Sequence, residues 1–457
     1  MRMFVVVLCA AFLPFCHAES LPLLLRQPTV SKTEIVFTYG GDLWSVAREG
    51  GAARRLTSAL GTNIGAKFSP DGSMLAFTGR YSGNADVYVM PAIGGQPRRL
   101  TYHPEADEVI GWTPDGKSVV FRSTRHSYYH FSNKLFTVSV TGGPVTELPL
   151  PIAEQGAFSP DGTHLAYVPH GQWQPAWKHY RGGQTTPIWI ADLKDSSVQK
   201  IPRENSNDFN PMWVGNTIYF LSDRNGAASL FAYDLGTKQV REVVKNDGFD
   251  FKSASSGPDA IVIEQFGALK LYDLNSGQVK NISVRVSGDL PELRPQFVKI
   301  EPGRLRNLSL SPAGVRVVAE AWGEIFTIPS DKGDIRNLTQ SPAVADRDPA
   351  WSPDGKWICY FSDEPGEYEL QVREQNSMGA VKHISLGNPP SYFYNPVWSP
   401  DNKKIAYTDK RLNIWIADVA NGKLTKADTD RYDTPNRNLL PAWSPDKIGR
   451  ASCRERV

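Results

Sequence analysis

Cysteine is almost missing from the folded part of this 457-residue chain. Of its four cysteines, Cys9 and Cys16 fall in the first eighteen residues and Cys453 in the last eleven. Only Cys359 remains, inside an apolar run. A single thiol excludes an internal disulfide framework, and Cys359 reads as a small buried hydrophobe. No nucleophile elbow G-x-S-x-G, no HExxH, no CxxC and no P-loop occurs, which removes the common signatures of hydrolase, zinc and nucleotide chemistry. No cofactor or metal site is expected. An excess of positive charge is also missing. The formal net charge of +2 depends on Arg2 and on the tail 447–457. Without them Lys+Arg falls to 45 against 47 Asp+Glu, which argues against a nucleic-acid partner. An apolar stretch long enough to cross a bilayer as a helix is lacking too.

What is present at the two ends is atypical of the rest. Residues 1–18 (MRMFVVVLCAAFLPFCHA) combine Arg2, the apolar run Met3 to Phe15 and small residues before a cut after Ala18. They read as a signal peptide, which predicts a periplasmic or secreted protein with no membrane contact after cleavage. An uncleaved anchor is the alternative. Residues 447–457 (KIGRASCRERV) interrupt a repeat just after Trp443-Ser444-Pro445-Asp446 and resemble a translated sequencing adapter. They are expected to be an artefact tail.

Between these ends the chain repeats itself. Phe68-Ser69-Pro70-Asp71-Gly72 returns as Trp112-Thr113-Pro114-Asp115-Gly116 and as Phe158-Ser159-Pro160-Asp161-Gly162. It returns again at Trp351, Trp398 and Trp443, with neighbouring starts 44 to 47 residues apart. The aromatic ends one strand. Proline presets φ for a tight turn, aspartate bonds its own backbone, and glycine or asparagine takes the positive φ that follows. An apolar strand comes next (Met74 to Thr78), then a third (Asp86 to Met90), then a glycine turn and a short fourth strand ending in Arg99-Leu100-Thr101. Four strands per unit of about 45 residues is the pattern of a β-propeller blade.

The pattern predicts an all-β protein. A six-bladed β-propeller is expected over 25–303. The first three or so blades of a second, truncated seven-bladed propeller follow over 304–446. The opening set, Glu34 to Thr57, lacks a visible first strand. Gln296-Phe297-Val298-Lys299-Ile300 is the expected donor, closing the ring by joining its ends. Closure by packing alone, with 294–304 as linker, is the alternative.

Several longer runs are more particular. They are Gly323 to Thr339 (GEIFTIPSDKGDIRNLT), Asp348 to Gly355, Tyr360 to Glu364, Phe393 to Asp409, and Lys178-His179-Tyr180-Arg181-Gly182-Gly183. Together with TolB-like blades, they resemble the tricorn protease family in its exported bacterial branch. The resemblance implies a six-bladed and then a seven-bladed propeller, followed by a PDZ-like module and catalytic cores holding a Ser-His-Ser-Glu set. It implies propellers that admit peptides through axial channels, and a homo-oligomer, typically a hexamer. The family's catalytic positions all lie beyond residue 446, so this chain is expected to gate and bind peptide substrates for a serine peptidase without cleaving them itself. A stand-alone TolB-like periplasmic scaffold that binds proteins is the alternative.

One insertion stands out as a candidate site. Residues 169–187 lengthen the fourth blade and carry Trp173, Trp177, His179, Tyr180 and Arg181. Aromatics and arginine are the residue types of binding hot spots, so these five are candidate substrate or subunit contacts. A loop packed for its own stability is the competing reading. His126, Tyr128, Tyr129 and His130 form the densest histidine cluster and read as a polar blade edge, because no carboxylate falls in that run. Ser222-Asp223-Arg224 and its relatives read as loop polar networks.

Overall fold

The computed structural model describes residues 23–58, 61–128, 132–172, 179–246, 248–288, 290, 299–431, 439–445 and 451–453. It divides into two units, Met1–Arg294 and Pro295–Val457. Among the described residues the first holds six antiparallel four-stranded sheets. Their innermost strands are Arg26–Val30, Thr62–Phe68, Asp107–Trp112, Gln155–Phe158, Asp208–Val214 and Phe251–Gly257. Each of these neighbours the next, and the last neighbours the first, so the six sheets close into a ring. The second unit holds three further four-stranded sheets of the same order and the pair Pro441–Trp443 with Ala451–Cys453.

Period-two alternation builds the core. Ile35 and Phe37 of the first blade pack on Val262 and Leu271 of the sixth, while Val36 between them packs on Leu75 and Phe77 of the second. Equivalent clusters fill the remaining gaps between neighbouring blades. Every sheet except those at the ends of an open series therefore has both apolar faces covered, which is why one blade cannot stand alone.

The repeated sequence motif has a visible cause. Asp71 Oδ1 accepts from the Ser69 hydroxyl at 2.5 Å and from Ser73 N at 3.1 Å, while Gly72 takes φ +74°. The same turn recurs at Asp161 and Asp401. The Arg-Leu-Thr ending is explained as well. Arg99 pairs with buried Asp86 at 2.7 Å, and the Thr101 hydroxyl both donates to Asp86 and accepts from Val87 N. Arg55, Thr57 and Asp42 repeat that arrangement one blade earlier. Asp208, fully buried, is held by Arg224 Nη2 at 2.8 Å and by the Ser222 hydroxyl at 2.6 Å. A buried carboxylate is tolerable only with such partners.

The closure of the ring differs from the expected one. The first strand of the first blade is Arg26–Val30, not the segment around Gln296–Ile300. Of that segment, residues 296–298 lie outside the described residues, and Lys299 and Ile300 are not in a strand. Arg26–Val30 was hard to read because it is short, contains Pro28 and carries a bulge with Gln27 at φ +49°. The ends meet through packing and a small clasp. Val284 and Arg285 pair in parallel with Gly51 and Ala52. Gly50 permits the approach, since a Cβ there would lie 2.5 Å from Ser283 O.

Candidate functional site

The six innermost strands enclose a cavity of about 1290 Å³ on the axis of the first unit. All six strands line it, and their polar side chains hold one another in place. Glu264 Oε2 accepts from Gln27 N at 2.8 Å and from the Ser253 hydroxyl at 2.6 Å. Asn210 N donates to Gln155 Oε1 at 2.6 Å. The Asn210 carboxamide also clasps Ala254 of the next blade at both backbone atoms, 2.8 and 2.9 Å away. Glu108 is held by Arg122, which also reaches Glu154. Half-buried Lys67 also lines the cavity, and desolvation pulls its ammonium down to about 8. The wall thus mixes polar groups that bond one another with apolar side chains such as Ile64, Phe158 and Met212, and it offers hydrogen-bond partners to a backbone as well as apolar surface.

A second cavity of about 290 Å³ adjoins the axial one and shares Gln155, Phe209 and Lys252 with it. The fourth-blade insertion contributes to its wall. His179 and Tyr180 line it. His179 Nε2 lies 3.6 Å from Asp250 Oδ1, at a turn where His179 has φ +56°. Arg181 does not line the pocket but holds Asp223, which does. Its Nη1 donates to Asp223 Oδ2 and its Nη2 to Asp223 O, both at 2.8 Å, so it fastens the insertion to the fifth blade. Asp223 in turn accepts from Asn207. Trp173 and Trp177 lie outside the described residues.

Two more residues line this pocket: Thr186, inside the insertion but not among the five candidates, and Asp250, which sequence reasoning missed. Thr186 is buried, and its hydroxyl has no hydrogen-bond partner among the described residues. Neither belongs to a motif, and their approach depends on how two blades lean together. The histidine cluster resolves in part. His126 Nδ1 lies 3.1 Å from Glu147 Oε2, a carboxylate distant in sequence, while Tyr129 and His130 lie outside the described residues. In the second unit Glu364, Glu369 and His383 bring ligand atoms within 4.8 Å of one another. The Gln371 amide nitrogen donates to both of those carboxylates, at 2.7 and 2.9 Å.

Residues 22–278 match the tricorn protease N-terminal β-propeller domain, and 302–449 match the TolB β-propeller domain. Tricorn protease homolog 1 of Streptomyces coelicolor is 28% identical over 361 residues, covering 77% of this chain and 33% of the relative. The tricorn protease homolog of Saccharolobus solfataricus is 25% identical over 414 residues, covering 89% of this chain and 37% of the relative. The chain therefore spans about a third of the length of these curated relatives. The crystal structure of the tricorn protease aligns with a TM-score of 0.56 at 20% identity, covering 95% of this chain and 43% of that one. That likeness concerns the fold. With the family match extending over more than half of its length, this chain belongs to the tricorn protease N-terminal β-propeller family.

Proposed function

We propose that this chain is the substrate-gating and substrate-binding propeller part of a tricorn-like serine protease that degrades peptides. The axial cavity, walled by all six blades and carrying hydrogen-bonding groups from several of them, carries the reading. An extended peptide can exchange hydrogen bonds with such a wall as it moves, whereas a cavity of about 1290 Å³ is far smaller than a folded domain. His179 and Tyr180 in the adjoining pocket are proposed substrate contacts. Arg181 positions them through Asp223. The same reading includes export by residues 1–18 to the periplasm, peptides as partners, and assembly of the whole protein as a homo-oligomer of hexameric type. No cofactor, nucleic acid or membrane partner belongs to it.

Photo-crosslinking tests the gate. A photoreactive residue replaces Ser253, on the channel wall, and the chain is offered extended peptides and a small folded protein. Crosslinks to the peptides alone are expected. Equal labelling of both, or of neither, overturns the proposal. Capture of folded partners on the outer face would favour a stand-alone scaffold instead.

A further inference from the structure

The sixth blade contains a hairpin turn whose residues are costly where they stand. Strands Ala260–Gln265 and Ala268–Asp273 are joined by Phe266 and Gly267, at φ +47° and +74°. A two-residue turn with both φ positive favours Asn-Gly or Gly-Gly. The first blade obeys this with Gly40 and Gly41, at +60° and +82°. A bulky side chain at positive φ is an outlier. Burial does not compensate Phe266, which is 58% exposed.

Its neighbour shares the exposure. Phe249, 56% exposed, stacks on Phe266 with centroids 4.3 Å apart and planes 10° from parallel. The backbone beneath the two rings is fixed. Gln265 Nε2 donates to Phe249 O at 2.7 Å and to Asn246 Oδ1 at 2.9 Å, and Asn246 Nδ2 donates to Phe249 O at 2.7 Å. Leu24, also exposed, passes beside the same turn, 3.2 Å from where a Gly267 Cβ would stand. The patch lies close in sequence to residues that line both cavities. Asp250 and Lys252, just after Phe249, line the side pocket, while Lys252 and Glu264 line the channel.

Exposure of two aromatics and a strained backbone at one spot points to a ligand. Size selects which. The three side chains expose on the order of 300 Å², whereas a stable contact with a second copy buries about 600 Å² or more on each partner. One large apolar side chain is the fitting occupant. We propose that Phe249 and Phe266 grip an aromatic or large aliphatic side chain of an extended peptide beside the channel mouth, giving the chain a preference for apolar peptides. The inference rests on the channel reading above and names its substrate class.

The test uses the full chain and two dye-labelled peptides of Gly, Ser and Gln, one with a central Phe and one with Ser there. Anisotropy is expected to show the Phe peptide bound about tenfold tighter, the discrimination one apolar side chain supplies. Phe266→Gly and Phe249→Ser should each abolish the preference. Phe266→Gly should also hold or raise the unfolding midpoint, because glycine relieves the turn. Retained preference in both variants overturns the proposal. So does a lowered midpoint in Phe266→Gly, which would make the pair structural, or a wild-type dimer that the variant loses in sedimentation. Equal binding of both peptides by the wild type sinks the grip alone. Binding of neither removes the channel reading and the grip with it.

Discussion

The indole nitrogen of Trp112 donates to the carbonyl of Lys67 at 2.9 Å, tying the third blade to the innermost strand of the second. Trp351, Trp398 and Trp443 reach back to Ser309, Ala350 and Val397 in the same way. The aromatic of the repeated motif is therefore a bond between blades as well as the end of a strand. Phe68 and Phe158 occupy the corresponding positions elsewhere, so the ring fits there without the bond. Trp112→Phe should cost about 0.5–1.5 kcal/mol, the net worth of one hydrogen bond. Trp112→Ala should cost more, about 2–3 kcal/mol, because the half-buried ring's packing is lost as well. Chemical denaturation of the two variants checks the ratio, and equal losses would contradict the assignment.

Closure of the six-blade ring depends on a bare backbone at Gly257. A Cβ there would lie 2.1 Å from Val30 O in the first blade. Gly257→Ala should destabilise the first unit by about 1–3 kcal/mol, as overpacking does. Gly111, with open space around its Cβ position, is the control. Unfolding curves in which both alanine variants match the wild type would show that the seam is loose.

Acid should weaken the turns. The Ser69 hydroxyl, with help from Ser73, holds the Asp71 carboxyl down at about 2, and Ser159 does the same for Asp161. Their unfolded value is near 3.8. The folded state thus binds fewer protons between these limits, so this stabilisation is complete above pH ~4 and fades as pH falls toward 2. Thermal midpoints measured from pH 7 to pH 2 should drop in that window, less steeply in Asp71→Asn. A profile unchanged by the substitution would refute the role of Asp71.

Cys359 offers a reporter for the second unit. It is fully buried, and burial pushes its thiol up to about 12. The native thiol should resist alkylation, and its labelling should follow local opening. Among the described residues the three four-stranded sheets of the second unit form an open series, which leaves apolar faces less covered than in the six that close. Peptide mapping should therefore find Cys359 labelled, and residues 305–446 cut by protease, under conditions that leave 25–303 intact. Equal resistance of the two regions would count against this division.

The repeat, the turns and the class of fold were legible in the amino-acid order, because each rests on neighbours in the chain. Proline and glycine fix the backbone at Pro70 and Gly72, and alternation assigns Ile35 and Val36 to opposite faces of one sheet. The first strand of the first blade was not legible, because the bulge at Gln27 hides its alternation. Of the candidate insertion, local composition pointed to the segment but not to the division of labour within it. His179 and Tyr180 line a pocket while Arg181 is committed to Asp223, forty-two residues away. The axial wall, the Thr186 and Asp250 pocket and the exposed Phe249–Phe266 pair exist only once blades are set side by side. Contacts between blades depend on distance and angle in space, which no local pattern of residues encodes.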